Sequence, residues 1–302
     1  MSARLPVTKT CKLFINGAFP RSESGRSLPV ADRKGHVVAH VAHASRKDLR
    51  DAVEAARAAQ PRWTALTAYN RGQILYRMAE MIEAGRAEFI ESLRAATVRE
   101  RSARERARII SVAAARREVD ASIDRLVCFA GWADKFAQVM GCQNPVAGPY
   151  YNFTAPEPTG IVGVVCPDEP ALLGMVSMLA AALCAGNAIV LIGSDLNPLP
   201  AVALGEACAT SDVPGGVINI LTGQRDELLE HLANHREVNA ISAAGVDAKQ
   251  AKLLQLGVAE NLKRMHIIAL AGRDWFDSSL CESPEAIEPF VEFKTIWHPS
   301  AT

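Results

Sequence analysis

From Pro158 onward, short apolar runs alternate with segments of helical character. The runs are Ile161 to Cys166, Ala188 to Ile192, Val217 to Leu221, Val238 to Ser242 and His266 to Leu270. One of the intervening helices is announced by Asn197 as N-cap and Pro198 in its first turn. A strand that is apolar at every position must be covered on both faces, and alternation with helices supplies the cover. The pattern predicts an α/β fold: a doubly wound parallel sheet of Rossmann type.

Ahead of this region, Lys12-Leu13-Phe14-Ile15-Asn16-Gly17 predicts a short strand ended by a turn. Ser45 and Asp48 form a capping box, and Leu49, Val53 and Ala56 mark one face of a helix that Pro61 is expected to stop. Leu75, Met78, Ala79 and Ile82, spaced i, i+3, i+4, i+7, mark a second helix. Residues 91–138 read as a third, long helical segment. It carries Arg99, Arg101, Arg104, Arg106, Arg108, Arg116 and Arg117, but Glu100, Glu105, Glu118, Asp120 and Asp124 are interleaved and no aromatic side chains alternate with the arginines. With Val119, Ile123, Leu126 and Val127 as an apolar stripe, this is the pattern of a solvated amphipathic helix, not of a nucleic-acid surface. The whole chain carries 33 basic and 33 acidic side chains, a balance that also argues against nucleic acid or an anionic membrane as partner.

Two further strands stand outside the alternation. Tyr150-Tyr151-Asn152-Phe153-Thr154 is one. The other, Val291 to Trp297, places Val291, Phe293, Thr295 and Trp297 on one face and Glu292, Lys294 and Ile296 on the opposite face. Paired, they make a protruding arm of two or three strands whose open edge is a template for another chain.

The seven cysteines form no CxxC pair and mostly sit in apolar runs, which predicts buried, reduced thiols and a cytoplasmic protein. Cys166 ends a core strand beside Asp168 and Glu169, while Cys184 and Cys208 lie in Ala/Leu-rich helical stretches. Cys281 is the one expected to be exposed. None has the electropositive setting of a nucleophile. His231 and His235 are spaced i, i+4 without the glutamate of a metalloprotease helix, so no metal site is expected. His36, His40 and His43 fall in a strand and turn near the surface, with no role assigned. The charge-free stretch from Pro170 to Gly193 is broken at Gly186-Asn187 after a helix of about 15 residues, short of the ~20 that span a bilayer. Neither a membrane span nor a secretory leader is expected.

Six segments in order resemble the aldehyde dehydrogenase family. They are Leu13-Phe14-Ile15-Asn16-Gly17 with the Ala52-Val53-Glu54-Ala55-Ala56-Arg57 helix and Trp63; Ala130-Gly131-Trp132-Ala133-Asp134-Lys135; Pro158-Thr159-Gly160-Ile161-Val162-Gly163; Ala185-Gly186-Asn187; Val213-Pro214-Gly215-Gly216-Val217-Ile218-Asn219-Ile220-Leu221-Thr222-Gly223; and Lys294-Thr295-Ile296-Trp297-His298-Pro299. The resemblance implies a cofactor-binding domain ending near Ile267-Ile268-Ala269-Leu270-Ala271-Gly272 and an oligomerisation arm closed by Val291 to Pro299. In the family a catalytic domain lies between these two. Only residues 273–302 follow Gly272, whereas a catalytic domain needs on the order of 100 residues, so that domain and its nucleophilic cysteine are expected to be absent.

The departures from the family are systematic. Where it has Pro-Trp-Asn, whose asparagine helps hold the oxyanion, this chain has Pro167-Asp168-Glu169, and a carboxylate there would repel a developing oxyanion. Where it has Lys-Pro-Ser-Glu on the adenosine ribose, this chain has Ile192-Gly193-Ser194-Asp195, leaving Asp195 to accept a ribose hydroxyl. Phe-Thr-Gly-Ser under the pyrophosphate becomes Ala243-Ala244-Gly245-Val246, which keeps the turn but not the hydroxyl. Glu-Leu-Gly-Gly, which supplies the general base, becomes Ala269-Leu270-Ala271-Gly272. The Cys166-Pro167-Asp168-Glu169 segment resembles the inactive second module of two-module aldehyde dehydrogenases.

The resemblance implies four parts: residues 1–143 as the N-terminal section of the cofactor-binding domain, 144–158 as an arm strand, 159–274 as the βαβ section, and 275–302 as linker and C-terminal arm strand. Tyr151, Phe153, Val291, Phe293, Thr295 and Trp297 are then the interface residues. No residue is expected to be catalytic. A vestigial cofactor site of Ser194, Asp195, Gly223 and Gly245 is expected to hold no cofactor, or NAD only weakly. The favoured reading is a catalytically inactive structural or regulatory subunit, a homodimer or a hetero-oligomer with a full-length aldehyde dehydrogenase. An NAD(P)-binding sensor and an NAD(P)-dependent aldehyde oxidoreductase are the alternatives.

Overall fold

The computed structural model describes residues 7–32, 34–95 and 110–300. Three short strands come first, β1 (Lys9–Cys11), β2 (Ser27–Ala31) and β3 (Val37–Ala42), in the order β1-β3-β2. The expected strand at Lys12–Gly17 is not one. Phe14 makes a single antiparallel bridge to Ile220, and Asn16 and Gly17 turn at positive φ.

The helix α1 (Arg46–Ala65) starts at the capping box of Ser45 and Asp48 and runs through Pro61. The expectation that Pro61 ends it fails because Trp63, two residues on, is buried at 1% exposure. Burial of that indole outweighs the helical N–H that proline removes.

The next helices are α2 (Ala68–Ala84), α3 (Arg86–Ala95), α4 (Val112–Trp132) and α5 (Phe136–Met140). The long helix expected over 91–138 is therefore three elements: Ser111 caps a fresh start at α4, and Gly141 ends α5. The arginines at 99, 101, 104, 106 and 108 and the glutamates at 100 and 105 lie outside the described residues.

After β4 (Cys142–Asn144) and β5 (Tyr150–Pro158), strands and helices alternate: β6 (Ile161–Val165), α6 (Leu173–Cys184), β7 (Ala188–Ile192), α7 (Leu199–Ala209), β8 (Ile218–Leu221), α8 (Arg225–Asn234), β9 (Ala240–Ala244), α9 (Ala248–Ala259) and β10 (Arg264–Ile268). The sheet is parallel throughout, in the order β10-β9-β6-β7-β8. Two strands are offset from the sequence reading. Val238 is buried but belongs to the turn before β9, where its N–H bonds His235 O, and β10 ends at Ile268, two residues before Leu270.

Period-two alternation divides the sheet residues between two cores. Val162, Val164, Ile189, Leu191, Ile218 and Ile220 join the cluster that includes α2, α4, α6 and α7. Ile161, Val165, Val190, Ile192, Ile241 and Ala243 join the cluster under α1, α8 and α9. Every residue of α6 is buried, as expected of a helix apolar on all sides. Among the described residues no helix is long and apolar enough to cross a membrane.

The remaining elements are α10 (Ser278–Cys281), two 3-10 turns (Pro284–Ala286 and Glu288–Phe290) and β11 (Val291–Pro299). β11 pairs antiparallel with β5 in continuous register from Val291↔Pro158 to Pro299↔Tyr150, and β4 completes a sheet in the order β11-β5-β4.

Candidate functional site

Strand order reverses between β6 and β9: the chain builds β6, β7 and β8 outward, then returns to lay β9 on the other side of β6. The crevice outside the carboxyl ends of strands at such a point is where doubly wound folds hold ligands. Four segments converge there: Cys166-Pro167-Asp168 after β6, Gly193-Ser194-Asp195 after β7, Thr222-Gly223 after β8 and Gly245 after β9.

Both expected glycines are conformationally required. Gly223 has φ +150°, and a Cβ there would lie 3.0 Å from Ala44 N and 3.2 Å from His43 Cδ2. Gly245 has φ +69°, with Leu270 Cδ1 3.2 Å from such a Cβ. His43, expected near the surface, is buried against this turn. The helix after Gly245 is capped from within: Asp247 accepts the Gln250 N–H at 2.8 Å, and Gln250 Nε2 donates to Asp226 at 2.6 Å, tying α9 to the start of α8.

Ser194 is buried, and its hydroxyl donates to Asp168 Oδ1 at 2.9 Å. Asp195 accepts the Arg225 N–H at 2.9 Å. Desolvation raises the Asp195 carboxyl above its ordinary pKa, and the adjacent Arg225 cation opposes the shift. Asp195, Gly223, Gln224 and Asp226 line one wall of a cleft of ≈ 640 Å³, with the β2–β3 hairpin opposite. The residue that sequence reasoning missed is Arg225. Its guanidinium is fully buried, pairs with Asp168 at 3.2 Å and reaches main-chain carbonyls on both sides of the crevice. A lone arginine beside Gln224 and Asp226 carries no signal that its side chain turns inward.

The other candidate residues scatter. Ala269 and Ala271 border a separate open cleft of ≈ 340 Å³ with His266 and Arg273. Cys166 is buried and desolvation raises its thiol far above the ordinary range; Cys208 is pushed up to about 12 by the same cause. Cys281, expected to be exposed, is buried at 2% in the one-turn helix α10, where Arg273 Nη2 approaches its sulfur at 3.3 Å. His231 and His235 flank the end of α8, and no group of three potential metal ligands gathers among the described residues.

In the arm, Phe293 and Trp297 are 44% and 60% exposed, and Tyr151 and Thr295 are exposed too. Phe153 is partly buried, with its ring 5.3 Å from Tyr151. Val291 does not face a partner as expected: it is fully buried in the larger core and anchors the base of the strand.

Residues 20–274 match the model of the aldehyde dehydrogenase family. The chain belongs to this family. It is 33% identical over 264 residues to Retinal dehydrogenase 2 of Mus musculus, covering 85% of this chain and 48% of that protein. An NAD+ complex of aldehyde dehydrogenase from Bacillus cereus superposes with a TM-score of 0.78 at 25% identity, over 86% of this chain and 51% of the other. PnpE, a protein of Pseudomonas sp. WBC-3, in complex with nicotinamide adenine dinucleotide gives 0.77 at 26% identity, over 85% and 50%. The chain thus spans about half the length of the relatives it matches.

These findings overturn the expectation of a chain with no cofactor. That expectation weighed only the donors lost relative to the family, a lysine and a hydroxyl. The crevice retains both turn glycines and a carboxylate at Asp195, and it holds a buried guanidinium that the sequence comparison did not count. These groups fit a dinucleotide: the Asp195 carboxylate lines the cleft and can accept ribose hydroxyls, and the Arg225 guanidinium lies behind it.

Proposed function

We propose that this chain is an NAD(P)-binding, aldehyde-dehydrogenase-like scaffold that assembles through its β11 arm with itself or with a complete aldehyde dehydrogenase, and that it does not oxidise aldehydes unaided. The observation that carries the proposal is the nine-residue pairing of β11 with β5 when residues 273–290 alone separate that strand from the end of the cofactor-binding section. A strand of this kind serves assembly, because its outer edge and its aromatic side chains otherwise face solvent.

Asp195 would accept ribose hydroxyls, and Gly223 and Gly245 hold the positive-φ turns that shape the crevice. Asp195 and Asp226 together favour a free 2′-hydroxyl over a 2′-phosphate, and so NAD over NADP. The nicotinamide, when bound, supplies a hydride acceptor. Ala269 stands where the family has its glutamate, and burial raises the Cys166, Cys184 and Cys208 thiols, which opposes thiolate formation at these three positions. In this reading the chain is akin to the degenerate second module of two-module enzymes, acts in the cytoplasm, and is organised as the four parts 1–143, 144–158, 159–274 and 275–302.

The test is a pair of measurements on the purified chain. Calorimetry should detect NAD binding, and spectrophotometry should detect no NADH formation with aliphatic or aromatic aldehydes. Turnover that disappears on replacing any one cysteine would defeat the proposal.

A further inference from the structure

Arg225 bridges the switch point of the sheet. Its Nη2 donates to Cys166 O at 2.8 Å, just past the end of β6, and its Nη1 to Gly245 O at 3.3 Å, just past the end of β9. The side chain is 0% exposed, and its Nε is buried without a hydrogen-bond partner. A buried cation is costly unless an anion pairs with it.

Asp168 is that anion, from inside the chain. Three donors converge on its Oδ1: Ser194 Oγ at 2.9 Å, the Asp195 N–H at 3.0 Å and Arg225 Nη2 at 3.2 Å. A hydroxyl, a main-chain N–H and a guanidinium aimed at one oxygen form the donor set that takes a phosphate oxygen. Asp168 is 23% exposed against 0% for Arg225, so the carboxylate is the member of the pair that faces solvent.

We propose that Ser194, the Asp195 N–H and Arg225 form a phosphate subsite that Asp168 occupies as a tethered competitor, and that a nucleotide diphosphate binds by taking these donors from Asp168. The inference rests on the NAD(P)-binding reading and names the residues that set its strength. An internal carboxylate competes at high effective concentration, so the subsite is weakened by its own neighbour and not by the loss of family residues alone. Binding involves no covalent change: one anion replaces another on the same donors.

The test is calorimetric titration of the full chain, its Asp168→Ala variant and its Arg225→Met variant with inorganic pyrophosphate, ADP, NAD and adenosine. Asp168→Ala should bind pyrophosphate, ADP and NAD at least about tenfold more tightly than the wild type, the scale of one charged hydrogen bond. Arg225→Met should bind them less tightly than the wild type, and adenosine should not distinguish the three proteins. If Arg225→Met does not fold, the Asp168→Ala result decides. Wild-type NAD binding with unchanged ADP and pyrophosphate affinity in Asp168→Ala overturns the subsite and leaves the NAD(P) reading standing. Tightened pyrophosphate binding in Asp168→Ala with no NAD binding to any form supports the subsite and overturns the NAD(P) reading.

Discussion

The Asn187 side chain ties the C-terminal strand to the parallel sheet: its Nδ2 donates to Phe290 O at 2.9 Å, one residue before β11 begins. The same amide donates to Ala182 O at 2.9 Å and accepts the Gly160 N–H at 2.8 Å, all in a fully buried position. The arm is therefore fixed at its base by a residue of the Ala185-Gly186-Asn187 segment, and is not a loose tail.

Replacing Asn187 with alanine orphans the Gly160 N–H, while the Ala182 and Phe290 carbonyls each lose one donor but keep the Asn187 and Thr159 main-chain N–H groups. An unsatisfied buried group costs about 1–3 kcal/mol, so Asn187→Ala should lower stability by about 1–3 kcal/mol. Urea unfolding monitored by circular dichroism checks this. A change within the scatter of surface substitutions would show that water or a backbone shift replaces the amide.

Glu118 of α4 is buried and accepts the Leu172 and Leu173 N–H groups at 2.8 and 3.2 Å, capping α6 from a neighbouring helix. Burial raises its pKa above the ordinary 4.5, against the two hydrogen bonds, which lower it. A raised folded-state pKa contributes stability that is present below the unfolded value and lost as pH rises through the folded one. The wild type should thus lose stability relative to Glu118→Gln as pH climbs from below about 4.5 into the raised range. Urea midpoints across a pH series give the comparison, and parallel curves for the two proteins would contradict it.

Cys142 is the exposed thiol among the described residues, with Cys128 partly covered. Iodoacetamide followed by peptide mass mapping should modify Cys142 first, then Cys128, and should reach Cys166, Cys184 and Cys208 only on unfolding. Rapid labelling of a buried cysteine in the folded chain would reveal an activated thiol and reopen the case for independent catalysis.

Gly223→Ala forces a side chain into φ +150° with a 3.0 Å contact to Ala44 N. Strain of this kind costs on the order of 1–3 kcal/mol. The variant should melt earlier and bind NAD more weakly, whereas Gly25→Ala, with open space around its Cβ, should leave NAD binding unchanged.

The parallel sheet and the arm were legible because their signal is local. Apolar runs such as Ala188 to Ile192 state burial on two faces, and the alternation of Phe293, Thr295 and Trp297 states a two-sided strand. Helix ends were harder where tertiary contacts overrule the chain, as Trp63 does at Pro61. The crevice was the least legible part. Gly223 and Gly245 could be read as turn formers, but the Arg225–Asp168 pair joins residues 57 apart, and neither residue type announces an inward-facing partner. Val291 departs from the alternation for a related reason: its place in it is that of Phe293, yet the 3-10 turns before β11 bring it into the main core.

The most direct test of the scaffold role is sedimentation velocity of the intact chain, alone and mixed with a complete aldehyde dehydrogenase, beside a Phe293→Asp/Trp297→Asp double variant. The expected result is a dimer or a mixed oligomer that the double variant dissociates while its circular dichroism stays unchanged, because both side chains are exposed in the single chain. A wild-type chain that sediments as a monomer in both conditions would contradict assembly through β11.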